Sequence, residues 1–211
     1  MVQQIPRRRG RRPDLRKRRA VLAAASRLFL ARGYAGTSMD AVAQAAGVSK
    51  LTVYAHFADK ESLFQAIVEA RCDAYSRPER FGDYQRMAPR AALTAIGRNL
   101  LDLLLSPLAL QLYRVMIAAG PQRRKMAALF YEAGPERASA YFVEYLRRAS
   151  EEGQLRIDDP ERAADEFQGL VQGGKLHLRA TLGLRPLPNA AQRKQHVARA
   201  VQTFLRAYGV E

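Results

Sequence analysis

Between Ser49 and Lys60 the chain gathers side chains that could do chemistry: Ser49, Lys50, Leu51, Thr52, Tyr54, His56 and Lys60. They do not form a catalytic unit. The sequence has no serine-histidine-aspartate order, no glycine-rich phosphate loop and no run with metal-ligand spacing. Its three histidines stand far apart, at 56, 177 and 196, and its one cysteine is Cys72. No catalytic residue, metal site or cofactor is expected, and the protein reads as a non-enzyme. What the segment offers is contact with nucleic acid. Lysine donates to guanine acceptors in a major groove, while the threonine methyl and Leu51 can touch a thymine methyl. Tyrosine and histidine carry donors suited to phosphate oxygens.

Charge points the same way. The 211 residues hold 35 Lys plus Arg against 20 Asp plus Glu, a formal +15. Residues 1–64 carry 13 basic and 4 acidic residues, and the excess is densest before residue 20. Arg7, Arg8, Arg9, Arg11 and Arg12 lie among Pro6, Gly10 and Pro13, with almost no apolar residue. Self-repulsion and a missing apolar face predict an extended basic arm over 1–14, suited to a groove or phosphate contact. Apolar residues make up 48% of the chain, enough for a folded core. One cysteine excludes an internal disulfide. Arg27 interrupts the run Ala20 to Ala31, which speaks against a signal segment. The most apolar stretch, Leu100 to Gly120, contains Asp102, Pro107 and Arg114 and is not expected to span a membrane. A cytoplasmic location follows as an expectation.

The elements that must position these residues are helical. No stretch alternates apolar and polar residues for long, and Gly, Pro and capping residues recur at helix-length intervals. About nine helices are expected, over 15–32, 38–45, 49–56, 59–76, 88–105, 107–119, 122–132, 135–152, 160–182 and 189–208, the seventh and eighth open to merging. Gly33, Gly47, Gly120, Gly134, Gly153 and Gly183 read as closers. In the first helix Val21, Leu22, Ala25, Leu28 and Phe29 form one stripe. Thr37 is expected to cap the second helix, with Asp40 completing a capping box. Gly47 ends that helix in a left-handed conformation and Ser49 caps the third. Two short helices around a tight glycine turn, over about 38–57, make a helix-turn-helix. Lys50, Leu51, Thr52, Tyr54 and Ala55 point outward; Val53 and Phe57 point to the core.

From Gly33 to Phe64 the sequence reads GYAGTSMDAVAQAAGVSKLTVYAHFADKESLF. This resembles the DNA-binding domain of the TetR family of bacterial repressors, with nearly every keyed position matched. The phrases LLLSPLALQLYRVMIA, FYEAGPER, EFQGLVQGG and AVQTFLRAYG resemble the AefR-like branch. The resemblance implies an all-α homodimer: a three-helix reading head at 15–76, and a C-terminal ligand-binding and dimerisation domain at 77–211. It implies a ligand-released repressor on a palindromic double-stranded DNA operator, with a small-molecule effector and no membrane. A nonspecific nucleoid-type binder driven by the basic arm is the alternative. It also implies backbone contacts for Thr37 and Ser38 at the start of the second helix, and phosphate contacts for Tyr54, His56 and Lys60.

Within 77–211, two amphipathic helices end the chain. Phe167, Leu170, Gly174, Leu178, Val197, Val201 and Phe204 lie along their stripes and are the expected dimer contacts, in a four-helix interface. The costly pair Gly173-Gly174 fits either close helix approach there or a local kink. Tyr113, Met116, Phe130, Tyr141, Phe142, Tyr145, Phe167 and His177 are the expected lining of an effector pocket. An aromatic set at helical spacing is also what an ordinary core contains. Cys72, without a partner cysteine, is expected to be inert rather than a redox sensor.

Overall fold

The computed structural model describes residues 14–75, 83–118, 124–184 and 186–210. The basic arm before Asp14 and the expected closer Gly120 lie outside them. Helices dominate, and the only bridge pairing among the described residues joins Leu155 to Gly209. Eleven α-helices are present there: α1 Leu15–Arg32, α2 Met39–Ala46, α3 Lys50–His56, α4 Lys60–Tyr75, α5 Pro89–Leu104, α6 Pro107–Ala118, α7 Arg124–Tyr131, α8 Arg137–Glu151, α9 Pro160–Gln172, α10 Lys175–Thr181 and α11 Ala190–Tyr208. No single helix among the described residues is long and apolar enough to cross a membrane. Contacts divide the chain into two units, 1–63 and 64–211, so that α4 contributes to both.

In the first unit, Asp14 caps α1 by accepting from the Arg16 and Lys17 amides. Val21, Ala24, Ala25 and Phe29 are buried and face α2 and α3. Gly47 sits at φ +65°, where only glycine is unstrained. Its N–H donates to Gln44 O at 3.2 Å and that of Val48 to Ala43 O at 3.1 Å, the paired bonds of a Schellman ending. Ser49 then caps α3, its Oγ accepting from Thr52 N at 3.2 Å.

One cap differs from expectation. Ser38, not Thr37, caps α2, accepting from Ala41 N at 3.1 Å. Thr37 is only 1% exposed, and its hydroxyl donates to Gly33 O at 2.9 Å, one of the carbonyls α1 leaves open. Asp40 thus stands two residues past the cap rather than three, and its carboxylate is free to pair elsewhere.

The second unit packs α5 against α9 and α11, and α8 against α9. Leu93, Leu101, Tyr145, Leu146, Phe167 and Phe204 form its centre. Gly97 on α5 lets the helices close in. A Cβ there would sit 3.0 Å from Val197 Cγ1 and 3.3 Å from Phe167 Cζ.

Two expected boundaries move. Gly134 does not close a helix: Glu132–Glu136 forms a π-helical turn that links α7 to α8 without a loop. Pro135 inside it has no N–H to give the α-helical ladder, which favours the widened turn. The expected helix over 160–182 breaks into α9 and α10, because Gly173 and Gly174 take φ of +67° and +45°. The kink reading of this pair therefore holds. Gly173 also makes room for His196, whose Nε2 lies 2.8 Å from Val171 O; a Cβ at 173 would fall 2.6 Å from the ring.

Candidate nucleic-acid interface and effector cavity

The first unit presents α3 as an outward ridge. Val53 and Phe57 anchor it in the core, and Leu51 is 82% exposed and Tyr54 44% exposed on the opposite face. Arg18 lies 5.3 Å over the Phe57 ring and ties α1 to the end of the ridge. Lys50 is exposed and pairs with Asp40 at 2.9 Å. Hydrogen bonding to that carboxylate and its charge hold the ammonium above the usual lysine value. Thr52 is half-buried, its Oγ1 2.9 Å from Ser49 Oγ. Ser38 and Ser49 are exposed at the two helix starts, where backbone amides favour anions. His56 is half-buried beside Phe57.

Thr37 and Lys60 are placed differently. The buried Thr37 hydroxyl has no face to offer a phosphate. Lys60 donates to Tyr34 O at 2.9 Å and Thr37 O at 3.0 Å, and lies 4.3 Å from the centre of the Tyr34 ring. That ring stacks on Phe29 at 5.6 Å. The ammonium at the start of α4, which opposes the helix dipole, is held by carbonyls of the loop before α2.

The second unit holds a partly open cavity of about 120 Å³. Leu100, Leu103, Leu112, Phe130 and Phe142 supply much of its apolar wall, and Val68, Arg71 and Cys72 of α4 another part. Asn99, Ser139, Gln168 and Gln172 add polar groups. Burial pushes the Cys72 thiol up to about 11, so it stays protonated and unreactive near neutral pH.

Comparison with known proteins identifies both units. Residues 21–67 match the tetR family of bacterial regulatory proteins, and residues 91–210 match the C-terminal domain of AefR-like transcriptional repressors. The chain belongs to the TetR family. A putative TetR-family regulator of Mesorhizobium loti is 29% identical with a TM-score of 0.78, covering 93% of this chain and 98% of its own. The flavonoid-responsive regulator FrrA is 34% identical with a TM-score of 0.69 over the same shares. AibR, solved in complex with isovaleryl coenzyme A and operator DNA, is 26% identical with a TM-score of 0.55, over 89% of this chain and 97% of its own.

In this TetR-family regulator half of the expected pocket residues meet. Tyr113, Phe130, Phe142 and Phe167 line the cavity, whereas Met116, Tyr141, Tyr145 and His177 do not. Tyr145 packs into the core, stacked on Phe142 at 6.2 Å between centres. His177 sits behind the wall, edge-on to Tyr113 at 4.9 Å, its Nδ1 3.0 Å from Gln172 Nε2. Burial lowers its pKa, so the ring is neutral. Aromatic spacing carries no sign of the polar wall. Its one sequence signal is Gln168 and Gln172, four apart on an amphipathic helix.

The expected dimer contacts divide as well. Phe167, Val197, Val201 and Phe204 are no more than 1% exposed within one protomer and have no surface to give a partner. Their stripes point into the protomer's own core. Leu170 is half-buried and Gly174 and Leu178 are exposed, which leaves these three of the original seven on the surface.

Proposed function

We propose that this regulator is a ligand-released repressor that grips a palindromic operator as a homodimer, acts in the cytoplasm and catalyses no reaction. DNA reading belongs to the first unit. Lys50 and Thr52 take base edges, Leu51 a thymine methyl, and Ser38, Ser49, Tyr54 and His56 the phosphates. Arg7 to Arg12 add sequence-independent affinity along the backbone. The observation that carries the reading is the α3 ridge: a seven-residue helix with its apolar side sunk in the core and Lys50, Leu51 and Tyr54 outward. The second unit binds the effector and the partner protomer. One relative responds to flavonoids and another was solved with an acyl thioester, so an apolar or aromatic effector suits this chain.

Helix α4 supports a release mechanism. Its first residue, Lys60, clamps the loop before α2, and its later residues Val68, Arg71 and Cys72 line the cavity. An occupant that shifts those later residues moves the element that holds the loop.

Selection of bound fragments from random DNA tests the reading. The expected product is an inverted repeat whose half-sites lie one turn apart, ~34–36 Å, or a multiple of it. Binding without sequence preference and with a steep salt slope would overturn it.

A further inference from the structure

Three carboxamides line the cavity: Asn99 on α5, and Gln168 and Gln172 one turn apart on α9. In each, the amide nitrogen is committed to the surrounding protein. Asn99 Nδ2 donates to Tyr84 Oη at 2.9 Å, Gln168 Nε2 donates to Ser139 Oγ at 3.0 Å, and Gln172 Nε2 lies 3.0 Å from His177 Nδ1. With Nδ1 accepting from Gln172, the proton of the neutral imidazole lies on the buried Nε2, which has no hydrogen-bond partner among the described residues. A carboxamide with its donor directed into the wall has its carbonyl oxygen left over. Among the described residues these three oxygens have no hydrogen-bond partner within the protein. Among the described residues the wall holds no carboxylate, and its one formal charge, Arg71, already interacts with neighbouring groups. The polar side of this cavity thus sets these neutral acceptors beside the hydroxyls of Tyr84, Tyr113 and Ser139, on an apolar surface.

We propose that the occupant is a neutral ring compound carrying at least two hydroxyl or N–H donors, held by the side-chain oxygens of Asn99, Gln168 and Gln172. This rests on reading the cavity as the effector site. An apolar cavity of roughly 150 Å³ takes a benzene ring; this one, at about 120 Å³, takes a single hydroxylated ring by displacing side chains of its wall. A larger effector of the same class places one hydroxylated ring here and displaces wall for the rest. Acceptors that stay unpaired penalise an analogue without donors, and a site built for hydroxyl groups discriminates strongly. Methylating the hydroxyls replaces donors with acceptors that face acceptors. A carboxylic acid would set its charge against the same oxygens.

The test is calorimetric titration of the full chain with resorcinol, 1,3-dimethoxybenzene and benzoate, beside operator binding with each compound. Resorcinol should bind at least tenfold tighter than the other two. In Gln168→Met and Gln172→Met that ratio should shrink at least threefold while dimethoxybenzene keeps its affinity. The wild-type comparison stands even if a variant misfolds. Equal or tighter binding of the diether or of benzoate overturns the proposal and leaves the effector site intact. Resorcinol preference with unchanged operator affinity supports the site chemistry and overturns the effector reading alone. No binding by any of the three overturns both.

Discussion

Lys50 shows how far a side chain's type can be read and where its surroundings take over. Its place near the start of α3 follows from the Ser49 cap and the spacing to Val53, all legible in the chain. Its partner was not. Asp40 belongs to α2 and meets Lys50 only because the Gly47 turn folds the two helix starts together. The pair is exposed on both sides, so it adds little to stability. Lys50→Ala should therefore melt as the wild type does. If Lys50 reads a guanine, its loss should weaken operator binding roughly tenfold to a hundredfold and relax preference at that base. Equal weakening on operator and random DNA, measured by fluorescence anisotropy, would reassign it to a phosphate. Thr37 and Lys60 escaped sequence reading for a related reason. Both satisfy carbonyls of the 33–37 segment, and such bonds depend on the path of a loop rather than on helical spacing.

At the scale of elements, punctuation was the most readable feature, because a glycine at positive φ is a local requirement. Gly47 is the clearest case. A Cβ there meets no atom within 4 Å, so Gly47→Ala carries only backbone strain, about 1–2 kcal/mol. Urea unfolding should show that loss, and a larger one would mean that the turn itself rearranges. Glycine pairs are less legible. Gly173-Gly174 had two readings from sequence, and the room needed by His196, from α11, belongs to the kinked one. Amphipathic stripes mislead in another way: they report burial without saying against what. Phe204 and Leu178 sit on comparable stripes, yet Phe204 is 1% exposed in the protomer and Leu178 57%. Phe204→Asp should abolish folding, since it buries an unpaired charge. Leu178→Asp should keep the melt cooperative and shift the dimer to monomer. Light scattering on the folded Leu178→Asp variant decides, and an unchanged dimer would remove α10 from the interface.

The whole molecule carries +15, of which +9 falls within residues 1–64, so charge alone already assigned one end of the chain to a polyanion. Regulation is a property of no single residue. It requires that one equilibrium be felt by both units, and α4 is the element common to them. An effector can shift that equilibrium only by its difference in affinity for the two conformations of the protein. A hundredfold fall in operator affinity needs about 2.7 kcal/mol of such difference, within the ordinary range for coupled sites. Linkage then works in both directions: saturating operator must weaken the effector by the same hundredfold. Titrating a cavity-binding compound with and without operator measures this directly. The variant Lys60→Met sharpens the experiment. It removes the bonds to Tyr34 and Thr37 carbonyls at a residue that does not line the cavity, so the compound should bind the DNA-free protein as before. If the clamp transmits the effect, the hundredfold ratio should fall toward unity in that variant. Full coupling retained in Lys60→Met would show that the loop clamp is not the route.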